Sequence, residues 1–316
     1  MLRILNRTEE GCPVKVHTAL LDYLGAKMGE EASIDTLTGV SQRAVSLKIN
    51  LNNLQLLNNH VSGLGVEREI ARLASVGLPH SGAWLNVVPS PTLGLHMKSD
   101  EFVASTKYRL GVPVFSTSGQ CPACSRYSDD LGDHAISCGY QGERIARHDR
   151  LRDALWQAAQ SACLGPTRED RALLPGTEAR PADVLIPKWT SGRDTALDIT
   201  VINPLQQRLV RQAATTPGHA LTVAFNRKMV QSGEACRKEN MVFLPLPLET
   251  LGGWHEQTEL VVKKLAASLA RHTGEDPSVA TRHLYQKLAV LLASGNASLL
   301  LNRLPDFPSP EVDGVH

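Results

Sequence analysis

Four residues near the middle of the chain carry side chains that bind soft or borderline metal ions: Cys121, Cys124, His134 and Cys138. Their spacing is Cys-x2-Cys-x9-His-x3-Cys. Two thiolates separated by two residues can hold one ion from a tight turn, and the later histidine and cysteine complete a tetrahedral shell. Because no position is left open, the pattern predicts a structural zinc site. The alternative is a loop of reduced cysteines without metal, and His148 is a rival fourth ligand.

Two aspartates further along the chain form a second candidate site. Asp183 opens an apolar segment that predicts a strand, and Asp198 stands in the middle of another, with a hairpin turn at Ser191-Gly192 between them. An aspartate inside a buried strand is costly unless something pairs its charge. A magnesium or manganese ion shared by the two carboxylates would do so, and it would serve phosphodiester hydrolysis. The alternative is an aspartate that merely begins a strand together with an aspartate bonded to local backbone.

The next elements decide whether a lysine reaches these carboxylates. Residues 220–236 predict a helix that carries Arg227 and Lys228, and residues 241–246 predict a strand after it. A strand–helix–strand crossover is right-handed in nearly all cases, so the two strands are predicted to be parallel. Lys228 could then approach the carboxylates and orient the attacking water or stabilise developing charge. Lys238 remains a rival for that role.

Residues 143–163 predict an amphipathic helix with an apolar stripe at spacings of three and four. Arg144, Arg147 and Arg150 lie in its first turns. They could contact a phosphate backbone, or they could form an ordinary solvated face. His148 is predicted to be a partly buried residue of this helix.

The segment Tyr127-Ser128-Asp129-Asp130 matches the Tyr-x-Asp-Asp pattern of polymerases. That pattern needs a hairpin with apolar strands on both sides. Here both flanks belong to the cysteine-histidine loop. We therefore predict a solvated acidic turn and no polymerase site in this chain.

Composition leaves the partner open. The chain has 316 residues, 42% of them hydrophobic, and a formal net charge of +1. Residues 141–240 hold 15 Lys and Arg against 11 Asp and Glu, which is a weak basic excess (15 − 11 = +4). Six cysteines, three of them beside one histidine, indicate a reduced compartment with a metal site. Neither a secretory signal nor a membrane span is expected, and we expect an intracellular protein of the nucleus.

Residues 79–115 change character, with several prolines and glycines, a short predicted strand over residues 84–88 and a predicted helix over residues 98–110. Their sequence, PHSGAWLNVVPSPTLGLHMKSDEFVASTKYRLGVPVF, resembles the linker that follows the reverse transcriptase domain in non-LTR retrotransposons. Several such elements carry a similar stretch directly before a zinc knuckle.

The acidic region extends this resemblance. Arg180-Pro181-x-Asp183, then fourteen residues, then Asp198, a helical lysine and a stretch ending in Gly-Gly-Trp resemble the restriction-like endonuclease of these elements, a PD-(D/E)XK nuclease. The resemblance implies that Asp183 and Asp198 bind the catalytic metal and that Lys228 is a displaced catalytic lysine. It also implies that Glu249 lies close by.

Three details depart from the family pattern. Ala182 splits the Pro-Asp dipeptide, and Thr200 stands where Asp-x-Lys would place a lysine. The choice of Lys228 rests only on its predicted helix. Arg180 joins the three helical arginines, Arg144, Arg147 and Arg150, as an expected DNA contact.

The expected fold is α/β, with a helical N-terminal segment, a small zinc knuckle and a restriction-endonuclease-like mixed β-sheet flanked by helices. The expected divisions are a helical region, a post-polymerase linker, a CCHC zinc knuckle, the nuclease domain, a C-terminal helix and a disordered tail. In order, these cover residues 1–78, 79–115, 116–142, 143–275, 276–304 and 305–316.

The first hypothesis is a metal-dependent DNA endonuclease from a retrotransposon polyprotein. It would nick target DNA to prime reverse transcription, with DNA as its partner, element RNA as a further candidate partner, and the polymerase domain upstream of this chain. The alternative is a catalytically inactive, zinc-dependent nucleic-acid-binding remnant. A degraded polymerase remnant is disfavoured because no other segment predicts a polymerase hairpin.

Overall fold

The structure, a computed structural model, describes residues 14–139, 142–168 and 181–303. It divides into two compact units, Met1–Val66 and Glu67–His316. The predicted boundary after residue 78 is therefore placed too late. The short helix of residues 67–76 belongs to the second unit, where its Ala71 and Leu73 are buried.

The first unit is helical, as predicted. Its helices are α1 (Val14–Met28), α2 (Ile34–Leu37) and α3 (Gln42–Leu64). Ser41 begins α3, because its hydroxyl accepts a hydrogen bond from the backbone N–H of Ala44 at 3.2 Å. A small apolar cluster holds the three helices together: Leu24, Met28, Leu37 and Val45.

The second unit contains all the candidate site residues. Its strands are β1 (Gly119–Gln120), β2 (Tyr127–Ser128), β3 (Thr167–Arg168), β4 (Val184–Thr190), β5 (Arg193–Ile202) and β6 (Val242–Glu249). Its helices are α4 (Glu67–Val76), α5 (Ser99–Leu110), α6 (Asp133–Ser137), α7 (Glu143–Ser161), α8 (Val210–Thr215), α9 (His219–Lys228), α10 (Glu234–Lys238), α11 (Glu256–Thr273) and α12 (Pro277–Leu301).

Two predicted elements differ from the structure. The strand predicted at residues 84–88 is wrong, because Ala83–Asn86 form a 3-10 helix. Trp84 is buried against α12, whereas Val88 is 82% exposed and has no strand to pair with. The helix predicted over residues 220–236 is interrupted by a π-helical turn, Met229–Gly233, between α9 and α10.

The main sheet is mixed, as predicted, with the strand order β3-β4-β5-β6. Its first two pairings are antiparallel, and β5 and β6 are parallel. The β4–β5 register pairs Val184 with Leu197, and the strands turn at Ser191-Gly192. The predicted α/β class with a mixed sheet and flanking helices is confirmed.

The two faces of the sheet are buried by different helices. On one face, Leu197 and Ile199 of β5 pack with residues of α7, α11 and α12 in the main core. On the other face, Ala196 packs with Cys236 of α10 and with Phe243 of β6. Side chains alternate along a strand, so Asp198 shares the second face with Ala196. This alternation places the carboxylate of Asp198 towards α9 and α10.

Helix α12 is the central helix of the second unit. It packs against α5, α7 and α11, so the predicted separate division at residues 276–304 is part of this unit. Among the described residues, α12 alone is long and apolar enough to cross a membrane, and 72% of its most apolar window is buried inside the fold. The predicted disordered tail at residues 305–316 lies outside the described residues.

Helix α11 offers a direct test of this core. Leu265 is fully buried, whereas Leu260 on the same helix is 59% exposed. We expect Leu265→Ala to lower the free energy of unfolding by about 2 to 5 kcal/mol, because it removes apolar contacts and leaves a cavity. The urea-unfolding midpoint measures this effect, with Leu260→Ala as the matched control. Equal small losses in both variants would contradict the described packing of α11.

Candidate functional site

The predicted metal ligands come together in space. The ligand atoms of Cys121, Cys124, His134 and Cys138 all lie within 4.8 Å of one another. The β1–β2 hairpin supplies the first two cysteines, and the backbone N–H of Cys121 bonds to the carbonyl of Arg126 at 2.8 Å. Such a set of three thiols and an imidazole could hold a metal ion such as zinc.

The local backbone prepares one of these cysteines as a ligand. The pKa of Cys124 is lowered to about 6, first by a hydrogen bond from the backbone of Arg126 and then by its neighbours in the cluster. Burial raises the pKa of the Cys121 thiol. Because metal ions bind the thiolate form, the lowered pKa of Cys124 favours metal binding near neutral pH.

Asp129 explains the Tyr-x-Asp-Asp match. Its carboxylate accepts hydrogen bonds from the backbone N–H groups of Asp133 and His134, at 2.9 and 2.8 Å. It therefore caps α6 and fixes the helix that carries His134. Asp129 is half-buried, so the predicted turn is not fully solvated. The segment orients His134 of the cysteine-histidine cluster.

The two aspartates lie side by side at the edge of the β4–β5 pairing. The backbone N–H of Asp183 bonds to the carbonyl of Leu197 at 2.9 Å. The Oδ2 atom of Asp183 accepts a hydrogen bond from the backbone N–H of Ile199 at 2.6 Å. Asp183 is therefore bonded to both chain neighbours of Asp198, which places the two aspartates next to each other.

Lys228 reaches Asp198 from the end of α9. Its ammonium group lies 2.9 Å from Oδ2 and donates a hydrogen bond to Oδ1 at 3.1 Å. Oδ2 is buried, and among the described residues it makes this ion pair but no aligned hydrogen bond. Lys238, the rival lysine, is exposed at the end of α10.

The environment of Asp198 disfavours its charge. Burial raises the pKa of this carboxyl to about 6, the positive charge of Lys228 opposes the shift, and the negative charge of Asp183 adds to it. The repulsion from Asp183 also shows that the two carboxylates are close. Two carboxylates that share one site create a strong demand for a positive charge between them.

Sequence reasoning missed the role of His148. Its predicted partial burial on α7 is correct, but its Nε2 atom also lies 3.0 Å from Oδ2 of Asp183, and its Nδ1 atom lies 3.2 Å from Asp149. Burial lowers the pKa of His148, but the bonds and charges of Asp183 and Asp149 outweigh it and raise the pKa to about 9. The available signal was a polar residue on the core-facing stripe of α7, which needs a polar partner.

An open groove of about 420 Å³ lies beside the acids, between the first turns of α7, the end of β5 and the end of α9. Arg144 and Arg227 line it together with His148 and Lys228, and so does Thr200, which stands where the family pattern places a lysine. The groove is therefore cationic and suits a phosphate group. Arg227 was not among the predicted DNA contacts.

The predicted arginines divide three ways. Arg144 is exposed in the groove and fits a phosphate contact, and Arg150 is exposed outside it. Arg147 is wrong as a DNA contact, because only 3% of it is exposed and its guanidinium donates to Asn296 at 2.6 Å. Arg180 lies outside the described residues.

Glu249 is wrong as a neighbour of the acids. The parallel register pairs Glu249 with Ile202 and pairs Asp198 with Pro245, four residues earlier on β6, which is about 13 Å along the strand. The carboxyl of Glu249 instead accepts a hydrogen bond from Ser75 in α4. Burial raises its pKa from the ordinary value of 4.5 to about 7.

The arrangement has the chemistry of a phosphoryl-hydrolysing site. It combines two adjacent carboxylates, an ammonium group on one of them, an imidazole on the other, and arginines in an adjoining groove. No protein-family model, curated protein or solved structure matches the chain.

The cysteine-histidine cluster can be tested by metal affinity. Loss of a residue that only contacts a metal ligand weakens metal binding by roughly 10- to 100-fold. Cys138→Ser removes a ligand itself, so we expect it to weaken zinc binding by more than that. Titration against a chromogenic zinc chelator measures the affinity. Cys163→Ser is the matched control, because Cys163 is exposed and lies outside the cluster. Equal zinc affinities in both variants would contradict a four-residue site.

Glu249 should make stability depend on pH. Its folded-state pKa is raised, so the folded protein holds the proton more tightly than the unfolded chain, and stability falls as pH rises from about 4.5 to about 7. The fall should be at most about 3 kcal/mol. Glu249→Gln should remove this part of the pH dependence in urea unfolding, whereas Glu256→Gln, at an exposed position, should not. A profile unchanged by Glu249→Gln would refute this assignment.

Proposed function

We propose that this chain is a metal-dependent DNA endonuclease. Asp183, Asp198 and Lys228 form the site at which it hydrolyses a phosphodiester bond. The single observation that carries the proposal is the juxtaposition of the two carboxylates with the lysine ammonium 2.9 Å from Asp198. The two aspartates come from adjacent chain segments of the sheet and Lys228 from the end of α9, and all three lie beside a cationic groove, which supports a common role.

The carboxylate pair fits a magnesium or manganese ion. Such ions prefer oxygen ligands, and Asp198 and Asp183 offer neighbouring carboxylates, with Oδ2 of Asp198 already 2.9 Å from the Lys228 ammonium. Asp183 and Asp198 would hold the ion. When bound, it supplies Lewis-acid stabilisation of the negative charge that builds up on the phosphodiester.

The chain's own groups supply the rest of the reaction. Hydrolysis adds water to phosphorus and breaks one P–O bond, so charge accumulates on the phosphoryl oxygens. Lys228 stands at the edge of the groove, where its ammonium can donate to the attacked phosphate or orient the water. Arg144 and Arg227 can bind phosphates on the same strand. His148 holds Asp183 in place through its bond to Oδ2.

The wider setting of the proposal is a mobile element. The cysteine-histidine cluster followed by the acid hairpin has the order of a zinc knuckle and a restriction-like nuclease in a non-LTR retrotransposon polyprotein. We infer that zinc fills the cluster as a structural ion and that the nuclease nicks target DNA in the nucleus to prime reverse transcription. Both inferences rest on the sequence resemblance, and the mixed sheet is compatible with them.

One observation favours the alternative, a catalytically inactive nucleic-acid-binding protein. Each carboxylate already bonds a positively charged or protonatable group, Asp183 with His148 and Asp198 with Lys228. Ion pairs of this kind can also stabilise a fold without any metal. Activity measurements separate the two functions.

We expect the zinc-loaded protein to convert supercoiled plasmid to the nicked form when Mg²⁺ or Mn²⁺ is added. Asp198→Asn should abolish nicking, because it removes a metal ligand with little change in shape. Lys228→Gln should slow it by about 100-fold or more, the usual effect of losing one charge-stabilising donor. Gel quantification of nicked plasmid measures each rate.

Lys238→Gln is the matched control for Lys228→Gln, because it removes the same charge at an exposed position. It should nick at the wild-type rate. Equal nicking by the wild type and Asp198→Asn would refute this site. DNA binding that zinc chelation abolishes, without any nicking, would favour the inactive alternative.

A further inference from the structure

A second groove, of about 860 Å³, lies away from the acid site in the same unit. One wall is the segment of residues 80–86, and the other is formed by α11 and the first turns of α12. The acid groove is formed by α7, β5 and α9 instead. The two grooves therefore share no lining residue, and neither the zinc cluster nor the carboxylate pair explains the second one.

The charged side chains that line this groove are positive. Lys263 of α11 has 56% of its side chain exposed, and Arg282 of α12 is exposed. None of the lining residues is an aspartate or glutamate. Glu259, the neighbouring acid, lies 3.6 Å from Lys263 and 3.7 Å from His80. Asp276, which caps α12, lies near Arg282, so each of the two exposed cations has one acid nearby and can still contact a phosphate.

Uncharged hydrogen-bonding groups complete the polar part of the lining. They are Asn86 on one wall and Ser278, Thr281 and Gln286 on the other. Gln286 donates a hydrogen bond to the backbone carbonyl of Asn86 at 3.1 Å, which joins the two walls. Such amide and hydroxyl groups can bond to the edges of a base or to a sugar.

An aromatic platform stands inside the groove. The ring of His80 is stacked on the ring of Tyr285, with centroids 3.9 Å apart and planes only 6° from parallel. Trp254 packs beside both rings, at 5.9 Å from His80 and 4.8 Å from Tyr285. His80 also adopts a positive φ of 62°, which is uncommon for a residue other than glycine. The fold therefore holds this partly exposed ring in one orientation.

We propose that this groove binds single-stranded nucleic acid. A flat ring for a base, cations for phosphates and amides for base edges are the features of single-strand binding sites. An unpaired base stacks on His80, and Lys263 and Arg282 contact the adjoining phosphates. A duplex cannot use the site in the same way, because its bases are already stacked on one another. The ligand can be RNA or DNA, since both present bases and phosphates.

The test uses the full-length, zinc-loaded protein in magnesium-free buffer, where no strand can be cut by a magnesium-dependent site. Arg144→Gln and Arg227→Gln are built in to weaken the acid groove. Fluorescence anisotropy then measures the affinity for fluorescein-labelled oligouridylate and oligothymidylate over a range of salt concentrations. Failure of the endonuclease proposal would leave this measurement unaffected, because binding is read without cleavage.

Lys263→Gln with Arg282→Gln should weaken binding and reduce the slope of log affinity against log salt by about 1.4, which corresponds to two phosphate contacts. His80→Ala should weaken binding by about tenfold or more, the effect of losing one stacked base. Lys107→Gln with Arg271→Gln is the control, because both residues are exposed and lie outside the groove. This control should bind as the parent does.

The comparison of the two oligonucleotides shows which strand the groove prefers, and tighter binding of either one supports the proposal. Unchanged affinity in both the cation pair and His80→Ala would overturn it. An equal loss in the Lys107 and Arg271 control would overturn it as well, because general charge would then account for binding.

Discussion

The buried carboxylate of Asp198 is the constraint on which the second unit's site depends. It stands in β5 between the buried apolar residues Leu197 and Ile199, and only 6% of the residue is exposed. A charge in such a place needs compensation, or the group takes up a proton instead. The neighbouring Asp183 increases that need, and Lys228 meets only part of it. A divalent cation would complete the compensation, so the same burial that strains the fold favours metal binding.

The cysteine-histidine cluster is tied to the rest of the unit by partly buried ion pairs. Arg68 of α4 bonds to Asp133 of α6 at 2.6 Å, beside the ligand His134. Arg303, which follows α12, pairs with Glu143 at 2.5 Å and bonds to the ligand Cys138. Glu143 is also the first residue of α7, the helix that carries His148 to Asp183. The cysteine-histidine cluster and the carboxylate pair are thus connected through the first turns of α7.

Local pattern was enough to predict much of this arrangement. The spacing of the metal ligands, the hairpin with its two aspartates and the parallel crossover to β6 all follow from short-range rules of strand and turn formation. The sequence could not show that Arg147 is buried, because that depends on α12, far away in the chain. Nor could it show that Glu249 lies four residues too far along β6, since that distance is set by strand register. His148 was missed because its partner belongs to a different element.

Direct measurement of Mn²⁺ binding by electron paramagnetic resonance tests the central claim, that Asp183 and Asp198 together hold a divalent cation. The experiment uses protein whose cysteine-histidine cluster is first saturated with zinc, and compares the wild type with Asp183→Asn and Asp198→Asn. The account predicts Mn²⁺ binding in the wild type and its loss in each variant. Absence of binding in the wild type, or equal binding in all three proteins, would contradict it.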